Sequence, residues 1–337
     1  MTGILLLFVV YLLHGEAAVI VRHDDKAVVN NRPIIGVLSQ EQSFYLHTKY
    51  PAENYTSYIA ASYVKDVEAS GARVVPIMIG KKRSYYRDLM EKINGVLIPG
   101  GATYFNQSDG YADAGQHIFE IAKEMNEAGD YFPIFGTCLG FELLVILDSG
   151  RGEPENRIRC YSYQNFKMYK DAPEDVIYLL KNEDVTVNYH QFCIVDEVIL
   201  LKQINRYGTE RYLLCKIWKI TECICYRYPF YGVQFHPEKS AFEWKANKNY
   251  PSSANAVHAN RYFMNFFVNE CRRSLHSFKN AAEEDQYLIY NYEPHFTGVL
   301  GSAYHQCYLF EPRGTVDGYL GIIIIIIHIY YLTGLLV

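Results

Sequence analysis

Along the first half of the chain, apolar and polar positions fall into short blocks whose periods dictate the elements. Residues 33–38 (PIIGVL) form an unbroken apolar run after polar Asn30, Asn31 and Arg32, which suits a strand buried on both faces. From 58 to 70, Ile59, Ala60, Tyr63, Val64 and Val67 share one helical face, and Gly71 offers the left-handed residue that stops a helix. Residues 74–77 read as a second buried strand, 85–92 as a helix and 95–98 as a third strand. The stretch 111–128 repeats Ala114, Ile118, Ile121, Ala122 and Met125 at helical spacing, and 132–135 is a fourth strand. Strand and helix in regular alternation predict an α/β fold, a doubly wound and mostly parallel sheet with helices on both faces.

The second half is less regular. Residues 173–181 suit a short helix, and 185–190, 211–218 and 224–228 alternate as strands do. Residues 231–238 (YGVQFHPE) form an alternating strand that ends in His-Pro-Glu.

The two ends have a different character. Residues 1–18 hold an apolar run from Ile4 to Leu13 followed by small residues, too short to span a bilayer and suited to a secretory signal. Acceptor sequons at Asn54 and Asn106 fit that route. Residues 318–337 include six consecutive isoleucines; this tail suits a C-terminal membrane anchor, the removed tail of a lipid-anchor signal, or an extension without function. The catalytic unit is then 30–312.

Composition narrows the partners. With 337 residues, of which 50% are hydrophobic and 20% charged, the chain can bury a large core. A net charge of -5 gives no basic footprint for nucleic acid. Eight cysteines are present, and their spacing does not match a zinc site: Cys223 and Cys225 sit two apart on a predicted strand without the turn a metal clip needs. If Cys138 is a free nucleophile, seven others remain and one of them at least is unpaired or bridges chains.

Chemistry concentrates at predicted strand ends, where ligands gather in such sheets. Residues 132–144 (FPIFGTCLGFELL) read as strand, sharp turn and helix, with Cys138 between Gly136 and Gly140 in a G-x-C-x-G form of the nucleophile elbow. The helix N-terminus is expected to favour thiolate over thiol. Gly100 and Gly101 follow the third strand, where an N–H unshielded by any Cβ can approach a substrate oxygen. Gly101 and Leu139 would form an oxyanion hole. His236, held at a strand exit by Pro237, is a candidate base, and Glu238 can return to the far ring nitrogen to orient it. Together these supply nucleophile, oxyanion donors, base and orienter for acyl transfer.

These residues resemble the class I glutamine amidotransferase-like superfamily, and within it the γ-glutamyl hydrolase family. Matching stretches are RPIIGVLSQE at 32–41, INGVLIPGG at 93–101, DYFPIFGTCLGFELL at 130–144, YGVQFHPEKSAFEW at 231–244 and LIYNYEPHFTG at 288–298. The resemblance implies a secreted, lysosomal or vacuolar thiol hydrolase that cleaves γ-glutamyl bonds of folylpoly-γ-glutamates, often as a homodimer, without metal or cofactor. Carried over by motif, Cys138 is nucleophile, His236 general base and acid, Glu238 its orienter, and Gly101 and Leu139 oxyanion donors; His190 and Gly100 line the substrate cleft. The segment after Leu144 diverges from its family counterpart, and the isoleucine tail is not a family feature. Two alternatives stay open: a glutaminase-type amidohydrolase, which would release ammonia from free glutamine, and an impaired γ-glutamyl-binding homologue, which would bind without thiol-dependent turnover.

Overall fold

The computed structural model describes residues 29–50, 55–149, 158–159, 172–189, 192–193, 222–225, 228–245 and 248–311. The leader at 1–18, the tail at 318–337, Asn54, His190 and the predicted strand at 211–218 lie outside them.

The first apolar run becomes β1 (Ile34–Leu38), followed by β2 (Gln40–Glu41) and α1 (Phe44–Lys49), whose N-cap Ser43 accepts from the Leu46 N–H. Next come β3 (Ser57–Ala60) and α2 (Ala61–Ala69), and Gly71, at φ +85°, stops that helix in the left-handed conformation expected of it. Then follow β4 (Arg73–Ile77), α3 (Arg83–Met90), β5 (Gly95–Ile98), α4 (Tyr111–Glu127), β6 (Ile134–Thr137) and α5 (Leu139–Ser149). Further on lie β7 (Ile158–Arg159), α6 (Glu174–Asn182), β8 (Phe192–Cys193), β9 (Glu222–Cys225) and β10 (Phe230–Val233). The described chain ends with α7 (Lys239–Phe242), α8 (Ala254–Cys271), α9 (Ala281–Tyr287), β11 (Pro294–His295) and β12 (Cys307–Phe310).

The central sheet runs β4-β1-β5-β6-β10-β9, parallel throughout except for the antiparallel edge strand β9. Strands β1, β4, β5 and β6 are buried on both faces, which is why they read as apolar runs. Ile35, Val37, Leu97, Phe135 and Val233 pack with α2, α6 and α8 on one face. Ile34, Leu38, Val96, Ile98 and Ile134 pack with α3, α4 and α5 on the other. This is the doubly wound arrangement the alternation predicted.

Three expectations need correction. Tyr58 to Ala60 do not begin the helix; they form β3, buried in a second, antiparallel sheet of order β11-β12-β3-β2. Their partner, β12, comes from the far end of the chain, so no local period betrays the pairing. The fourth strand begins at Ile134 and runs to Thr137, because Pro133 has no N–H and instead offers its carbonyl to Val96 at 3.1 Å. Residues 184–189 form no ladder strand: Val185 and Val187 are buried, but the segment meets the site through the Val187 carbonyl, which accepts the His236 N–H at 2.9 Å.

Candidate active site

Three strand ends converge at the carboxyl edge of the central sheet. After β6, Cys138 alone separates strand from helix, and it adopts φ 52°, a left-handed conformation that non-glycine residues rarely hold. Its N–H donates to the Val233 carbonyl at 2.8 Å and its carbonyl accepts from Glu142 N–H at 3.0 Å, so both sides of the turn are pinned. The flanking glycines are a steric requirement. A Cβ on Gly140 would lie 2.7 Å from the Ile98 carbonyl carbon, and one on Gly136 would lie 2.7 Å from the Gly140 carbonyl carbon and from the Phe141 nitrogen. Both contacts are backbone against backbone, which cannot give way.

Gly100, just beyond β5, is where the thiol and the imidazole meet. A Cβ there would lie 2.8 Å from His236 Cε1, 3.0 Å from Cys138 Cβ and 2.7 Å from Tyr63 Oη. The Gly100 N–H donates to Tyr63 Oη at 2.9 Å, and its carbonyl accepts from Gln40 Nε2 at 2.9 Å. That N–H is therefore committed. The Gly101 N–H has no hydrogen-bond partner among the described residues, and the Leu139 N–H faces the Cys138 thiol. These two N–H groups are the candidate donors to a developing oxyanion.

His236 is buried beyond β10, with Nδ1 2.8 Å from Glu238 Oε1 and 3.3 Å from Tyr63 Oη. Burial holds the imidazole below its ordinary value, against the opposing pull of Glu238 and the Tyr189 carbonyl. The thiol goes the other way. Burial, then Glu142 and Glu238, push Cys138 well above the ordinary thiol range, and the Leu139 N–H and Lys239 only partly offset them. The expectation that the helix N-terminus favours thiolate is thus overturned: desolvation and two buried carboxylates outweigh one N–H. Both shifts favour the uncharged forms, thiol and imidazole, and an uncharged thiol needs a base.

Sequence reasoning missed part of the surrounding shell. Tyr63 counted only as a helix-face residue, yet its hydroxyl joins Gly100 to His236. Gln234 Nε2 donates to Glu142 Oε1 at 2.9 Å and lies 4.0 Å from Cys138 Sγ. Gln40, Glu142 and Lys239 are likewise buried against the site, and the only available signal was their position inside the matching stretches. Asn106 is exposed in a turn before α4. Cys271 and Cys307 are also free and buried, Cys271 beside Gly95 at the opposite end of β5.

Residues 33–238 match the sequence model of the family described as Peptidase C26. Gamma-glutamyl hydrolase of Homo sapiens is 35% identical over 327 residues, covering 92% of this chain and 99% of that protein. The gamma-glutamyl hydrolase of Mus musculus is 37% identical over 307 residues, or 84% of this chain and 90% of that one. Gamma-glutamyl hydrolase B of Dictyostelium discoideum is 34% identical over 305 residues, 84% of each.

Proposed function

Because the chain belongs to the Peptidase C26 family, we propose that it is a thiol hydrolase cleaving the γ-glutamyl bonds of folylpoly-γ-glutamates, with Cys138 as its nucleophile. The observation that carries this reading is the meeting of Cys138, the His236–Glu238 pair and the uncommitted Gly101 N–H around Gly100.

In the proposed reaction His236 takes the thiol proton as Cys138 Sγ attacks the γ-carbonyl carbon. The Tyr189 carbonyl and Glu238 both stabilise the imidazolium that forms. Negative charge on the former carbonyl oxygen is met by the N–H groups of Gly101 and Leu139. The imidazolium gives its proton to the leaving amine nitrogen as the C–N bond breaks, leaving a γ-glutamyl thioester. Water, deprotonated by the same imidazole, then attacks the thioester carbon; the C–S bond breaks, and the departing thiolate takes the proton back from the imidazolium. None of these steps calls for a metal or a cofactor. His190 is proposed to line the substrate cleft by motif alone. Entry into the secretory pathway, glycosylation at Asn54 and Asn106, and homodimerisation belong to the same proposal. No described helix is long and apolar enough to cross a membrane.

Substrate linkage is the test. Amine release is expected from a γ-glutamyl amide and not from its α-glutamyl isomer, with no ammonia from free glutamine; ammonia release at a comparable rate would instead mark a glutaminase. The pH profile follows from the neutral resting pair. Protonating His236 removes the base, so activity falls as pH falls through the imidazole's pKa. Because burial lowers that value, the acid limb of kcat/KM is expected below about 6.5, the ordinary value for histidine. An acid limb above it would mean that burial does not lower the imidazole's pKa.

A further inference from the structure

Next to the proposed orienter sits a cation with no assigned task. Lys239 is 2% exposed, yet its Nζ makes no hydrogen bond to the described residues. It lies 3.9 Å from Glu238 Oε1, 4.2 Å from the centre of the Tyr304 ring and 5.7 Å from that of Tyr250. Ring faces offset part of the cost of burying an ammonium, but they do not explain its presence, since a methionine would fill the same space without a charge.

The explanation lies in the state of Glu238 at rest. This carboxylate is fully buried, and its Oε2 has no hydrogen-bond partner among the described residues. Desolvation would protonate it, and two cations oppose that, first the His236 imidazolium and then Lys239. While His236 waits as a neutral base, its own charge is absent. Lys239 is then the one formal cation beside Glu238 among the described residues.

The other groups packed around the pair are acidic or neutral. Tyr63 and Asp66 face it from α2, with Asp66 ion-paired to Arg261 of α8 and raised to about 7 by burial. Cys138 approaches from the turn between β6 and α5. Glu243, which accepts the His305 N–H at 2.9 Å, closes the chain side together with Tyr250, and Tyr304 covers the ammonium.

We infer that Lys239 is a positioning residue of the thiol reaction: its walled-in ammonium keeps Glu238 ionised while His236 is neutral. The imidazole proton consequently stays on Nδ1, towards Glu238, and the second ring nitrogen stays free to take the thiol proton. Without Lys239 the His236–Glu238 pair binds a proton more readily, because removing a nearby positive charge raises the pKa of both partners. As the two groups are coupled, the pair shifts as a unit.

The inference rests on the proposed hydrolase reading, and the experiment separates the two. Rates of γ-glutamyl hydrolysis by the full chain are measured from mildly acidic to neutral pH for wild type, Lys239→Met and Lys239→Arg. For Lys239→Met the acid limb is expected to move up by about one pH unit, while the rate above the limb changes little. Lys239→Arg, which keeps the charge, is expected to return the limb to its wild-type position. An unmoved limb in Lys239→Met, with activity lost equally at every pH, would overturn the inference and leave a structural role. The same holds if Lys239→Arg shifts as far as Lys239→Met. Should the methionine variant fail to fold, Lys239→Gln makes the same comparison. An inactive but folded wild type sinks the hydrolase reading itself.

Discussion

Replacing Cys138 with alanine is expected to lower γ-glutamyl hydrolysis by at least about 10⁴-fold, since no other group can form the acyl-enzyme. What remains is the contribution of the oxyanion donors and binding alone. The neighbouring shell offers no substitute nucleophile. Gln234 is an amide, Glu142 is engaged by Gln234, and the free Cys271 and Cys307 are buried on α8 and β12. The fold is expected to survive. Alanine keeps the Cβ, the Cys138 N–H bond to Val233 and the carbonyl bond to Glu142 N–H, and it bears the left-handed φ as cysteine does. The loss should be no more than about 1–2 kcal/mol from the small space the sulfur vacates. Kinetics and thermal unfolding on one preparation check both halves. A variant that unfolds with its activity would leave Cys138 a packing residue.

Gly140→Ala is expected to be the more damaging change to the fold. The added Cβ would meet the Ile98 carbonyl carbon at 2.7 Å and Ile98 Cγ2 at 3.0 Å. The side-chain contact can rotate away. The backbone contact cannot, because Ile98 ends β5, which is locked in register between β1 and β6. α5 must therefore lift from the sheet edge, at a cost of about 3 kcal/mol or more for overpacking that cannot relax. For a domain of this size that corresponds to a Tm lower by about 5 °C or more. Activity should fall by about 10² besides, since the Leu139 N–H moves with the helix start. Differential scanning calorimetry and an assay below the shifted Tm separate the two effects. A variant with unchanged Tm and rate would mean that the turn does not need the glycine.

How much of this could be read from the chain depends on the range of the interaction. Strands β1, β4, β5 and β6 were legible because burial on both faces leaves unbroken apolar runs, and the elbow because the close approach of α5 to β6 and β5 admits only glycine at 136 and 140. His236 and Glu238 lie two residues apart, so their 2.8 Å contact could be foreseen from local geometry. β3 was lost to a helical period because its pairing with β12 is remote in sequence. Tyr63 was lost for a related reason: a helix face pattern tells that a tyrosine is buried, but not that its hydroxyl reaches Gly100 and His236. The protonation state of Cys138 was misjudged because it is a sum over space. The helix start is visible in the sequence; the burial and the carboxylates of Glu142 and Glu238 that outweigh it are assembled only by folding.

The central claim is thiol-dependent cleavage at a γ-glutamyl bond, and its most direct measurement is chromatography of a pteroyl poly-γ-glutamate incubated with the purified full-length chain at mildly acidic pH. The expected result is progressive shortening of the glutamate chain by wild type and none by Cys138→Ala. A folded wild type that leaves the substrate intact, or a Cys138→Ala variant that shortens it as fast, would contradict the claim.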